Sequence, residues 1–176
     1  DWLEAERLFD VIRLQFPSSS YADDALYALG EVNFEKEAYI MANFNYNMVR
    51  RSYPSSEFAK SAFYKSAYCY YRLSPPFDRD QEYTKKAIQG FIEFLSFYPN
   101  DSLSVEADRR IMELRDKLAQ REFETARMYR KIYSRKSALI YYDVVIDDFQ
   151  DSKYYELAYV EKMDLLLELK KNDEAK

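Results

Sequence analysis

Apolar residues recur along this chain at the spacing of helix faces, and the spacing breaks at regular places. Ala5, Phe9, Ile12 and Phe16 are four, three and four residues apart, which puts them on one side of a helix. The same intervals return at Ala42, Tyr46, Val49 and Tyr53, at Ala87, Phe91, Phe94 and Tyr98, and at Ala138, Tyr142, Val145 and Phe149. Each series stops at Pro17, Pro54, Pro99 or Gln150. Proline ends a helix and biases the residue before it away from the αR region. Two residues beyond each break stands Ser19, Ser56, Asp101 or Ser152, all suited to cap a following helix. Tyr21, Phe58, Leu103 and Tyr154 come next, then Ala25, Ala62, Ala107 and Ala158. Aromatics on the two sides of a break are expected to meet across it and fix its angle. The predicted unit is helix, tight turn, helix, written several times in series.

This unit resembles the tetratricopeptide repeat, which carries small residues at its eighth and twentieth positions and proline near its end. The eighth positions here are Gly30, Ala67, Ala126 and Met163, and the twentieth are Ala42, Ala87, Ala138 and Ala175. Small residues at both let paired helices approach closely. Met163 departs from the pattern and predicts looser packing in its repeat. The resulting fold class is all-α, a tetratricopeptide-repeat solenoid of antiparallel helix pairs, forming one domain over residues 1–176. The pattern starts at Asp1 inside a second helix and reaches the start of another at Ala175. A piece of a longer chain, truncated within repeats at both ends, is the expectation.

Composition narrows the chemistry. The 176 residues include only two glycines, which leaves few positions for the φ > 0 turns of hairpin-rich β folds. Phosphate-cradling glycine loops are absent from the sequence. There is no histidine, so the commonest general base and metal ligand is missing. The one cysteine, Cys69, lies in the helical run AYCYY and reads as a small buried apolar residue. No nucleophile–base pair is suggested, so no catalytic, cofactor-binding or metal-binding residue is expected. A formal charge of −5 argues against a nucleic-acid partner. The 18 tyrosines and 12 phenylalanines imply wet helix interfaces or a ligand-facing surface, because a buried phenol needs a hydrogen-bond partner.

The breaks are 37, 45 and 51 residues apart, so two repeats carry insertions of 8 and 14 residues. The first falls in SPPFDRDQ, residues 74–81, an exposed loop between paired helices. The second falls in VEADRRIMELRDKLAQREFETARMYRK, which has no glycine or proline. Fourteen residues is about four helical turns. A single long inserted helix over about 103–133 is predicted, kinked near 118–121.

FPSSSYADDA, the PPFDRDQ loop, AIQGFIEFLSFYPNDS and EADRRIMELRDKLAQREFETARMY together resemble the BamD (YfiO-like) family. These are tetratricopeptide-repeat lipoproteins of the outer-membrane β-barrel assembly machinery, the BAM complex. The resemblance spans nearly the whole chain. Its most specific element is DRDQ followed at family-like distance by LRDKLA. It implies a non-enzymatic periplasmic scaffold for protein assembly. Early repeats would receive signals of unfolded outer-membrane β-barrel proteins, and later repeats would dock the polypeptide-transport domains of BamA beside other lipoproteins of the complex. It also implies a lipid anchor upstream of this chain, at the periplasmic face of the outer membrane; Cys69 is not that anchor.

Repeat geometry places the first helix of each pair along a groove. The residues facing it are Tyr27, Glu31, Phe34 and Glu35, then Tyr64, Tyr68, Tyr71 and Arg72, then Phe123, Arg127, Arg130 and Lys131. Tyr64, Tyr68 and Tyr71 share one helix face by spacing. A peptide-binding groove of Tyr27, Phe34, Tyr64, Tyr68, Tyr71 and Arg72 is one reading; the other is that these rings pack against neighbouring helices. Arg109, Arg110, Lys117 and Arg121 follow along the long helix among Glu106, Asp108, Glu113 and Asp116. With Arg127 and Arg130 they read as docking residues for an acidic partner surface, or as a solvated ion-laced face.

Other functional classes stay open on the residues alone. FPSSSYADDALYALG, residues 16–30, also fits a periplasmic Tol-Pal-associated tetratricopeptide coordinator, although near-constant repeat lengths would be expected there. A generic peptide-binding repeat adaptor is the third possibility.

Overall fold

A computed structural model describes residues 2–174, with side chains from residue 3 to 170. The described residues form helices joined by short turns: α1 (Trp2–Gln15), α2 (Ala22–Glu35), α3 (Tyr39–Ser52), α4 (Ala59–Leu73), α5 (Glu82–Phe97), α6 (Ser102–Lys131), α7 (Arg135–Asp148) and α8 (Tyr155–Glu174). Successive helices pack against each other in the order α1 to α5, and α7 packs on α8. This is the tetratricopeptide-like arrangement that the spacing predicts. The loop over 74–81 separates α4 from α5, and the second insertion lengthens α6 to 30 residues. Its helical assignment runs unbroken through 118–121, where a kink was expected. Ala175 lies outside the described residues.

The chain forms two compact units. One runs through Pro75 and resumes over Glu82–Ile111; the other joins Pro76–Gln81 to the chain from Met112 onward. In the first, Leu26, Tyr39, Ala42, Tyr46, Val49 and Ala62 share a core. In the second, Phe123, Ala126, Ala138, Tyr142, Ala158 and Leu165 do the same. The apolar series of the sequence are these cores. Burying them removes most of their surface from water, which stabilises the repeats by about 25 cal/mol per Å2.

The two glycines serve contact, not turns. A Cβ at Gly30 would lie 2.5 Å from the Tyr46 ring, and one at Gly90 would lie 2.9 Å from Ala67. Positive φ falls instead on Glu37 (58°) and Tyr133 (61°), each just past the first helix of a pair. Ala38 N–H donates to the Asn33 carbonyl at 2.9 Å and Ser134 N–H to the Tyr129 carbonyl at 3.0 Å, the six-to-one bond of a Schellman cap. Glycine scarcity therefore did not remove left-handed turns; it placed larger residues in them.

The breaks behave partly as predicted. Ser19, Ser56 and Ser152 accept the N–H two residues on at 3.2, 3.1 and 3.3 Å, and Asp101 does so at 2.9 Å. The three serines cap a single lead-in turn, and the regular helix begins three residues later. At three of the four breaks, among the described residues, no ring contact spans the turn, which corrects the expected aromatic clasp there. Phe16 and Tyr21 are both exposed, and Phe58 and Tyr154 turn to the preceding first helix. Phe58 stacks on Tyr27 at 4.6 Å and Tyr154 meets Phe123 at 5.5 Å. The bend is instead held by backbone bonds such as Ser56 N–H to the Tyr53 carbonyl at 3.0 Å. Tyr53 also donates its hydroxyl to the Pro17 carbonyl at 2.9 Å, linking adjacent breaks.

Met163 is 50% exposed, whereas Ala67 and Ala126 at the matching positions are buried. Met163 lies on α8, the last described helix, where no further described helix follows to cover it.

Candidate functional site

Five of the six candidate groove residues, Phe34, Tyr64, Tyr68, Tyr71 and Arg72, converge in the first unit because α4 offers one face with aromatics at helical spacing. Tyr68 is the hub. Its ring stacks with Phe34 of α2 at 5.8 Å, with Tyr64 at 6.1 Å and with Tyr71 at 5.4 Å. Stacked rings of this kind contribute roughly 0.5–1.5 kcal/mol beyond their buried area. Tyr64 is the floor of this ladder: it is 9% exposed and packs on Phe91 and Phe94 of α5. Burial pushes its phenol up to about 12. Tyr68, Tyr71 and Phe34 are half-buried, so each keeps one surface available.

Cations close both ends. Arg72 lies over Phe34 at 5.6 Å and Tyr39 at 4.8 Å. Arg110 of α6 sits over Tyr71 at 4.5 Å and donates from Nη1 to its hydroxyl at 2.6 Å. Arg110 also bonds Glu106 through Nε at 2.8 Å, and hydrogen bonding from Arg109 is the leading reason that the Glu106 carboxyl sits below its usual range. Arg110 therefore belongs to the aromatic stripe, a role its place in a run of mixed charge did not reveal.

Tyr27 stands apart from the ladder. It stacks on Phe58, tilts against Tyr46 and carries Lys65 at 5.3 Å from its ring centre. Burial works against the charge of Lys65, but hydrogen bonds to Glu31 and Tyr27 outweigh it and raise its pKa. Lys65 meets Glu31 at 2.5 Å, and Tyr46 donates to the same carboxylate at 2.6 Å. Lys65 was not a sequence candidate; its spacing of seven from Arg72 on the same helix was the available signal.

The docking candidates fall in different settings. Arg109 is exposed and pairs with Glu106 at 2.7 Å. Arg121 donates to the Arg79 carbonyl at 2.6 Å, and Lys117 borders a hollow with Pro76 and Phe77. The loop over 76–81 thus bonds to α6 at Arg121 and shares a hollow with Lys117 of the LRDKLA segment, within the second unit. Gln81 holds the loop by donating to the Pro76 and Arg79 carbonyls at 2.7 and 2.9 Å. Burial lowers the pKa of Lys117. Arg127 lies over Phe123 at 5.7 Å and 3.6 Å from Glu161, while Arg130 pairs with Glu168. Arg127, Arg130, Lys131, Glu161 and Asp164 line a charged cleft. Among the described residues, no cluster of acids or thiols is placed to hold a metal ion, and no helix is long and apolar enough to cross a membrane.

A sequence profile of the YfiO family, described as outer membrane lipoprotein, matches residues 1–176. The chain is 26% identical over its whole length to the outer membrane protein assembly factor BamD of Caulobacter vibrioides, covering 58% of that protein. It is 24% identical over 166 residues to the factor of the same name from Neisseria meningitidis serogroup B, covering 89% of this chain and 62% of the relative. A third such factor, from Rickettsia prowazekii, is 26% identical over 130 residues, which is 74% of this chain and 52% of that protein. The chain therefore spans about three fifths of the length of the first two relatives.

Proposed function

The chain belongs to the YfiO family of outer membrane lipoproteins, and from that premise we propose that it is a scaffold region of an outer-membrane protein assembly factor. Its work is binding and not catalysis. The observation that carries this reading is the ladder Phe34–Tyr68–Tyr71 between Arg72 and Arg110, laid over the buried floor of Tyr64. Such a ladder accepts aromatic and aliphatic side chains by stacking, with little demand for one sequence. Arg72, Arg110 and the phenols add hydrogen bonds to main-chain carbonyls or to a carboxylate. That suits extended segments of unfolded β-barrel proteins. Arg109, Lys117, Arg121, Arg127 and Arg130 are the proposed docking residues for BamA, and a lipid anchor upstream would hold the scaffold at the periplasmic face of the outer membrane.

Tyr68→Ala tests the groove. Tyr64 is unsuitable because its replacement would open the core. Affinity for a carboxy-terminal peptide of a barrel protein should fall roughly tenfold, with an unchanged helical circular-dichroism spectrum. Unchanged affinity in the folded variant would sink the reading.

A further inference from the structure

A second recess lies on a different face of α4, between α3 and α5. Two adjoining hollows share Arg50, Phe63 and Glu93. The larger, about 530 Å3, is walled by Pro54, Ala59, Phe97 and Tyr98. The smaller, about 240 Å3, is bordered by the amide side chains of Asn43, Asn47 and Gln89. Gly90 and Ala67 leave its floor low. Arg50 stands where the two meet, its guanidinium 4.0 Å from the centre of the Phe63 ring.

Arg50 is an unusual cation for this fold. Its side chain is only 27% exposed, and the nearest carboxylate, Glu93, is 3.9 Å away, too far for a hydrogen bond. Glu93 is itself engaged by the Gln89 amide at 3.1 Å. By contrast Lys65 and Arg110 reach carboxylates at 2.5 and 2.7 Å. Burial is the leading influence on Arg50 and pulls its pKa down. A half-desolvated guanidinium with no hydrogen-bonded anion among the described residues is costly, and an incoming carboxylate offsets that cost. Its planar fork takes a carboxylate with two parallel bonds, which a lysine at the same place would not.

We propose that this recess docks a partner peptide carrying an acidic side chain next to an aromatic or aliphatic one. The carboxylate forks onto Arg50. The apolar side chain enters the hollow walled by Pro54, Phe97 and Tyr98, and main-chain amides pair with Asn47 and Gln89. Both hollows beside the cation are mainly apolar, and the smaller adds the three amide side chains and Lys86 at its border. A small free acid would occupy one of them; a peptide occupies both. Phe97, 70% exposed on the rim, is placed to close over the apolar side chain. The recess is separate from the aromatic ladder, and the proposal does not depend on the scaffold reading.

Fluorescence anisotropy of the 176-residue chain with a labelled probe tests it. The probe is an acetylated and amidated nonapeptide of glycine and serine with Leu-Phe-Glu at its centre. Saturable binding is expected, weakened about tenfold when Gln replaces Glu in the probe. Arg50→Gln should abolish the difference between the two probes, and Arg50→Lys should restore part of it. Should Arg50→Gln fail to fold, Phe97→Ser, on an exposed rim position, should weaken both probes. Three results overturn the proposal: no saturable binding at about millimolar chain, equal affinity for the Glu and Gln probes, or displacement by free phenylacetate as effective as by unlabelled peptide.

Discussion

The helix pairs α2/α3 and α6/α7 are the same device in the two units, and they differ in one contact and one partner. In each, twelve residues separate the two small positions, Gly30 from Ala42 and Ala126 from Ala138. In each, a fully buried tyrosine, Tyr46 or Tyr142, lies in the core they bound, and a non-glycine residue turns left-handed past the first helix. But Tyr46 rests against a glycine, and Tyr142 shares its cluster with an alanine. Tyr46 donates to Glu31 of the helix it packs on; Tyr142 donates to Glu161 of α8, at 2.6 Å in both cases. Shape therefore places the ring, and the hydroxyl takes whichever carboxylate the neighbourhood supplies. Burial, followed by that hydrogen bond, pushes both phenols well above their ordinary range.

The widest effect should come from deleting the rings. Tyr46→Ala and Tyr142→Ala are each expected to destabilise by about 3–5 kcal/mol in urea unfolding, because both leave a large cavity and remove a hydrogen bond to a carboxylate. A cost for either below about 1 kcal/mol would break the equivalence of the pairs.

The contact residue comes next. Gly30→Ala gains helix propensity, yet its Cβ would meet a ring that is fully buried and has nowhere to swing. A net loss of about 1–3 kcal/mol is expected. Ala126→Gly should cost only about 1 kcal/mol. If Gly30→Ala is neutral in the same urea titration, the first pair has slack that its geometry does not show.

Smaller and opposite in sign is the left-handed turn. Glu37→Gly and Tyr133→Gly should each stabilise by about 0.5–1 kcal/mol, since glycine takes φ near 60° without the Cβ penalty. Both residues are exposed, and Glu37→Gly also removes a carboxylate that lies 3.8 Å from Arg72. A loss on Tyr133→Gly would mean that its ring, beside Arg135, contributes more than its backbone strain takes away.

Smallest is the response to acid. Hydrogen bonds from Lys60 and Arg115 are the leading causes that hold the Asp101 and Asp151 carboxyls below their usual 3.8. A depressed folded pKa gives stability that is present above the unfolded pKa and lost as pH falls through the folded one. The urea midpoint should therefore stay level down to about pH 4.5 and fall below it, with Asp101→Asn removing part of the share of the first unit, where Glu106 also contributes, and Asp151→Asn removing a share of the second. A fall centred above pH 5 would point to other groups.

The fold was legible because its rules are periodic. Helix faces, breaks and the two small positions follow from spacing alone, and so do the lengthened α6 and the loop over 74–81. What escaped was decided by directions that spacing does not carry. Phe58 and Tyr154 were expected to grip across their own turns; instead each reaches back to an aromatic on the preceding first helix, where more surface can be buried. Arg110 and Tyr64 show the same limit at the candidate site. One sits in a run of mixed charge and yet crowns the aromatic stripe; the other carries the right spacing and yet forms its floor. Which side of a ring is left open depends on the next helix, and no pattern within α4 records it. Arg50, half-buried against Phe63, was invisible for that reason too.

The bond from Tyr53 to the carbonyl of Pro17 has a mechanical consequence. The two turns it joins are the pins about which successive helix pairs of the first unit could fan apart. A single phenolic oxygen works there as a strut between pins, far from the core and therefore with a long lever arm. Tyr53→Phe would leave every core contact in place while removing that strut. The spacing of these two turns is thus pinned in part at the rim of this row of helices, outside the core that packs them.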